Sequence, residues 1–178
     1  MATTYDRLHV LLREVQRNAS RATPQNRHSF VRSIVNRKLP QFTIQRNRNG
    51  KLVEDSISDK AVERLLELLA ELRLARLPEA DGIEITTRGE EALEGENFAN
   101  SVSVATFQLL SNDGVNRQTL LDNIDGIQPP NFADADTIHA RLDPDVKEQL
   151  DLERFRGLLY LLACAGSIQR EIKVFYAA

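Results

Sequence analysis

Apolar residues return every three or four positions along most of this chain, and the rhythm changes in only a few places. In residues 4–18, Tyr5, Leu8, Leu12 and Val15 share one helical face, while Asp6, Arg7, Arg13 and Arg17 lie mostly elsewhere, which predicts an amphipathic helix. Asn18, Ala19 and Ser20 end it. Pro24 fits the first turn of a second helix over 24–38, whose inner face is Phe30, Ile34 and Val35. A period of two follows. Phe42, Ile44, Leu52 and Val53 flank Asn49-Gly50, a dipeptide that tolerates positive φ at both positions and so predicts a tight hairpin. Ser58 then caps a third helix with Val62, Leu65, Leu66, Leu69 and Leu72 turned inward.

Pro78 stops that helix, Asp81-Gly82 turns the chain into a short strand over 83–86, and Thr87 is placed to cap the next helix. Gly95 breaks it. Residues 98–110 read as a mostly buried helix through Phe98, Val102, Val104, Phe107, Leu109 and Leu110. Asn112-Asp113-Gly114 is a turn, and Asn116 caps a short helix after it. Pro129-Pro130 opens an acidic stretch in which Asp143-Pro144 looks like a cap followed by a first-turn proline. Leu152 to Ala165 is an apolar-rich helix closed by Gly166, and Ile172, Val174 and Tyr176 alternate as one closing strand. The fold class expected is mainly α with short β-hairpins, in two units covering 1–96 and 97–178.

Charge sharpens this picture. The net charge of −3 conceals a segregation. Residues 1–52 carry eleven Lys/Arg against Asp6 and Glu14, near +9, and residues 53–178 carry twelve against twenty-four Asp/Glu, near −12. A basic end can meet phosphates or an acidic protein surface, or it can neutralise the acidic remainder of its own chain. No apolar run approaches the ~20 residues of a membrane span. The start lacks the apolar stretch of a signal peptide, and one cysteine builds no disulfide framework, so a cytoplasmic or nucleoid address is expected.

Two segments share a layout. Residues 61–93 and 152–177 each run from a leucine-rich helix through a short break into a strand. In the first, Ile85-Thr86-Thr87-Arg88-Gly89-Glu90-Glu91-Ala92-Leu93 resembles the end of many winged-helix domains, where a strand leaves the wing and glycine opens a final helix. The Leu65, Leu68, Leu72 helix and the Asp81-Gly82 turn match the family's helix-then-wing order. In the second, one strand makes any wing truncated, and residues 127–150 form an insertion. The pair is similar in layout to tandem winged-helix accessory subunits of chromosome-organising ATPases. That resemblance implies contacts to protein or nucleic acid, with no chemistry of its own.

The helix at 59–76, where the family would read DNA, presents Asp59, Glu63, Glu67 and Glu71 outward, which phosphates would repel. This also counts against a one-component transcription regulator. The cations suited to a DNA backbone are Arg27, Arg32, Arg37 and Lys38 on the second helix and Arg46, Arg48 and Lys51 around the hairpin tip. An arginine-rich tip also suits a minor groove. Phe30 and Phe42 look buried, so base stacking is not expected.

His9, His28 and His139 match no metal-ligand spacing, and Cys164 sits in an apolar run as a small buried thiol. Asp134, Asp136, Asp143 and Asp145 lack the glycine-bent loop of a calcium hand. No phosphate-binding loop or nucleophile elbow occurs. The expectation is a non-enzymatic subunit of a larger complex, with no cofactor, metal, membrane or small-molecule substrate. Its partners would be DNA, contacted without sequence readout, and a protein or a second copy of itself. The alternative is a purely protein-interacting scaffold, to which Phe155, Tyr160 and Phe175 would lend a contact unless they are core.

Overall fold

The computed structural model describes residues 2–95, 97–127, 133–171 and 174–177. The chain divides into two compact units, Met1–Phe98 and Ala99–Ala178. It is mainly α-helical with small antiparallel hairpins. Among the described residues no helix is long and apolar enough to cross a membrane.

In the first unit α1 (Thr4–Ala19) opens on a reciprocal cap: the Thr3 hydroxyl oxygen accepts the Asp6 N–H, and the Thr3 N–H donates to Asp6 Oδ2 at 2.8 Å. Leu8, Leu11, Leu12 and Val15 are wholly buried along its inner face. Asn18, also buried, clamps the chain reversal that follows, since its amide accepts the Gln25 N–H and donates to the Gln25 carbonyl. The second helix, α2 (Arg27–Asn36), starts later than the proline implies. Asn26 is the N-cap, accepting the Ser29 N–H at 2.9 Å, and Pro24 lies before it. Phe30, Val31 and Ile34 are its buried face.

A short 3-10 turn buries Phe42 and leads into a hairpin, β1 (Thr43–Arg48) and β2 (Lys51–Ser56). The chain re-enters the core at Ile57, whose N–H donates to the Phe42 carbonyl at 2.8 Å. Helix α3 (Asp59–Glu71) follows its Ser58 cap and packs Val62, Leu65, Leu66 and Leu69 against α1 and α2. Arg73, at φ +58°, reverses the backbone into β3 (Ala75–Arg76), which pairs with β4 (Glu84–Ile85). Thr86 then joins the elements. Its hydroxyl donates to the Arg73 carbonyl and accepts the Gly89 N–H, so Thr86 rather than Thr87 caps α4 (Thr87–Leu93). At Gly89 the backbones touch: a Cβ there would lie 2.0 Å from the Leu74 carbonyl oxygen. Phe98 completes the unit, its ring stacked on His9 at 4.4 Å and tilted against Tyr5.

The second unit is built from α5 (Phe98–Asn112), α6 (Arg117–Asp125), α7 (Ala135–Ala140), α8 (Pro144–Gln149) and α9 (Leu152–Cys164), ending in β5 (Ile168–Glu171) and β6 (Val174–Ala177). Leu110, Leu120, Ile124, Ile138, Leu150 and Phe155 anchor its core. Phe155 and Phe175 are core residues, and Tyr160 is half-buried. Asp143-Pro144 begins α8 as cap and first-turn proline, and the same acidic stretch carries a further short helix begun at Asp134. Two expectations need correction. The single closing strand is a hairpin, because β5 and β6 pair antiparallel. Within α5, Val104 is 52% exposed, since a helix on the surface of a small unit keeps one side in water. Pro129-Pro130 and Ile172 lie outside the described residues.

Candidate functional site

The β1–β2 hairpin projects from the first unit. Asn49 and Gly50 both take positive φ (54° and 78°), the requirement of a two-residue turn whose twist matches the strands it joins. Asn47 Oδ1 accepts the Gly50 N–H at 2.9 Å and fixes the turn. Only the root is partly covered: Thr43, Ile44, Asp55 and Ser56 are half-buried, and everything from Gln45 to Glu54 is exposed. Six residues per strand give a reach of about 20 Å.

Register sorts the side chains into two faces. Directly opposite pairs are Ile44–Asp55, Arg46–Val53 and Arg48–Lys51 on one face, and Thr43–Ser56, Gln45–Glu54 and Asn47–Leu52 on the other. The three hairpin cations named from sequence therefore share one face. Arg48 Nη2 lies 2.8 Å from Asp55 Oδ2, and Arg46 Nε lies 4.0 Å from the same oxygen. Lys51 makes no ion pair among the described residues. One carboxylate set against three cations leaves this face near +2. Leu52, on the opposite face, is 72% exposed. The period-two apolar pattern read from the sequence does not mark a core face here; only Phe42, before the strand, is buried.

The helix cations divide. Arg32 is exposed and makes no ion pair among the described residues. Lys38, at φ +48°, stands at the hairpin root, because its N–H and the Ser56 hydroxyl both donate to the Val35 carbonyl. Arg37 is committed inward, with Nη2 2.7 Å from Oε2 of Glu14, and Arg17 holds the other oxygen of that carboxylate at 2.7 Å. Arg27 is tied to the 80–85 segment: its N–H donates to the Asp81 carbonyl at 2.7 Å and its Nε lies 3.5 Å from Asp81 Oδ1. Of the seven cations, Arg46, Arg48 and Lys51 form one surface, Lys38 adjoins its root, Arg32 stands on α2, and Arg27 and Arg37 are bound into the fold.

None of the three acidic partners, Glu14, Asp55 and Asp81, was read as such from the sequence. Glu14 had a signal: it falls with Leu11 and Asn18 on the inward face of α1, where a charge needs a partner. Asp55 had none, since its pairing depends on the hairpin register.

Several other titratable groups serve local structure. Asp134 accepts the Thr137 N–H at 2.8 Å as the cap of α7, and that hydrogen bonding holds its carboxyl below the usual value. Asp136 pairs with Arg156. His139 Nε2 lies 2.7 Å from the Leu150 carbonyl. Cys164 is half-buried on α9 rather than enclosed. Among the described residues no three His, Cys, Asp or Glu side chains gather as a metal site. The chain matches no known family model, no curated protein and no solved structure at a significant level.

Proposed function

We propose that this is a non-catalytic, nucleic-acid-associated protein of two winged-helix-like units, working within a larger complex in the cytoplasm or nucleoid. The observation that carries the reading is the placement of Arg46, Arg48 and Lys51 on one face of an exposed, projecting ribbon. Such a face meets a sugar-phosphate backbone without reading bases, and releases counterions as it binds. Lys38 stands at the hairpin root, and Arg32 is exposed on α2. Arg27 and Arg37 contribute to the fold instead of the contact. The winged-helix reading is supported by a shared order: the 13-residue α3 precedes the β3–β4 pair and the 13-residue α9 precedes the β5–β6 pair.

A duplex titration across a salt series tests the proposal, with the parent chain compared with a variant carrying Arg46→Ala, Arg48→Ala and Lys51→Ala. Removing these cations, whose face keeps a net charge near +2 beside Asp55, should flatten the slope of log K against log salt by about 1.8. Equal slopes, or no duplex binding at low salt, reject it. The second outcome leaves the protein-scaffold reading, favoured by the acidic outer positions Asp59, Glu67 and Glu71 of α3.

A further inference from the structure

We infer that the β1–β2 hairpin enters the minor groove of duplex DNA tip-first, with Leu52 as an apolar wedge that unstacks a base step and bends the duplex. This rests on the reading that the hairpin contacts a duplex. Leu52 has no structural task in the unit: it is 72% exposed, one pair from the turn, with only Asn47 directly opposite. A large apolar side chain left in water near the tip of a ribbon that carries three cations has the two components of a groove-inserting arm. Apolar wedges partly unstack a step, and surrounding cations hold the deformed backbone.

The neighbours of Leu52 fit that groove. Asn47 gives its carbonyl oxygen to the Gly50 N–H, which leaves its amide NH2 to donate to the acceptors on the floor of A·T-rich sequence. Glu54 lies on the same face, two pairs closer to the root than Leu52 is, opposite Gln45. Its charge would be repelled by the groove walls, so insertion stops short of that pair. Arg46, Arg48 and Lys51, on the reverse face, have stems long enough to reach round the ribbon to the flanking phosphates. A pyrimidine–purine step such as TA unstacks at least cost and is the preferred entry point.

The test uses the full chain and a duplex with a central TA step, 2-aminopurine in place of its adenine and a fluorophore at each end. The parent should raise the 2-aminopurine fluorescence and shorten the end-to-end distance. Leu52→Ala should abolish both changes while keeping affinity within about threefold and the salt slope intact, because phosphate contacts are sequence-independent and remain. Leu52→Phe should restore both. A parent that binds without either signal, or Leu52→Ala giving the parent's signals, overturns the wedge and leaves the backbone-contact reading standing. No binding at low salt overturns both.

Discussion

Arg37 and Glu14 meet at 2.7 Å, and the carboxylate is 6% exposed while the guanidinium is 39% exposed. Burying a carboxylate is costly unless charged donors satisfy it, and here Arg17 and Arg37 take one oxygen each. Arg37→Ala leaves Oε2 without its donor, and the expected loss is about 1 kcal/mol, the low end for an orphaned buried acceptor because Arg17 remains. The urea midpoint should fall while the salt slope of duplex binding stays at the parent value. A slope that flattened instead would return Arg37 to the contact surface.

Asp55 restrains the hairpin cations. Arg48 is held by it closely and Arg46 loosely, so part of their charge is neutralised before any partner arrives. Asp55→Asn should tighten duplex binding several-fold at low salt and steepen the salt slope by no more than about 0.9, one added phosphate contact. Fold stability should barely move, because exposed ion pairs contribute about 0–1 kcal/mol.

Gly89 admits no side chain. With the Leu74 carbonyl oxygen 2.0 Å from where a Cβ would stand and Ile85 Cγ1 at 2.9 Å, Gly89→Ala must push α4 away from the β3–β4 pair. A loss of about 3 kcal/mol is expected, at the upper end for overpacking, and thermal unfolding of the variant measures it.

Arg73 makes the opposite case. At φ +58° an L side chain is strained, and its exposed position just past α3 is one that glycine favours. The hydrogen bond Thr86 makes there uses the backbone carbonyl and survives substitution. Arg73→Gly should raise stability by about 0.5–1 kcal/mol, read as an increased urea midpoint.

His9 couples the first unit to acidity. Burial, with Arg13 adding to it, holds the imidazole below its ordinary value of 6.5, outweighing the opposite influence of Asp6. The folded chain then binds a proton less readily than the unfolded chain, so unfolding takes protons up as pH falls. The contribution is fully present above pH 6.5 and is lost as pH drops through that value and then through the lower folded-state pKa. His9→Phe should flatten the pH dependence of the urea midpoint between about pH 5 and 7, the histidine titration range. A variant as acid-sensitive as the parent would assign the effect elsewhere.

Local signals carried much of the fold. Asn49-Gly50 set the turn because only certain residues accept two successive positive φ values, and the leucine spacing of 59–72 marked the inner face of α3. Caps were legible to within a residue or two: Thr86 acts where Thr87 was expected, since the choice depends on which hydroxyl reaches the Arg73 carbonyl beside the β3–β4 pair. Pairings over longer distances were not legible. Nothing local told Arg37 from Lys38 as a binding group, because what separates them is Glu14, twenty-three residues away. The last hairpin was missed because the alternation of Ile172, Val174 and Tyr176 begins after β5, whose Gln169, Arg170 and Glu171 carry no apolar period.

Between Phe42 and Ile57 the chain leaves the core and comes back through a narrow neck, closed by the Ile57–Phe42 hydrogen bond and tied to α2 through Ser56 and the Val35 carbonyl. Everything from Gln45 to Glu54 hangs beyond that neck without owing anything to the packing beneath. Selection is therefore free to lengthen this stretch, trim it or rewrite its charge, while the body that holds it goes on folding as before.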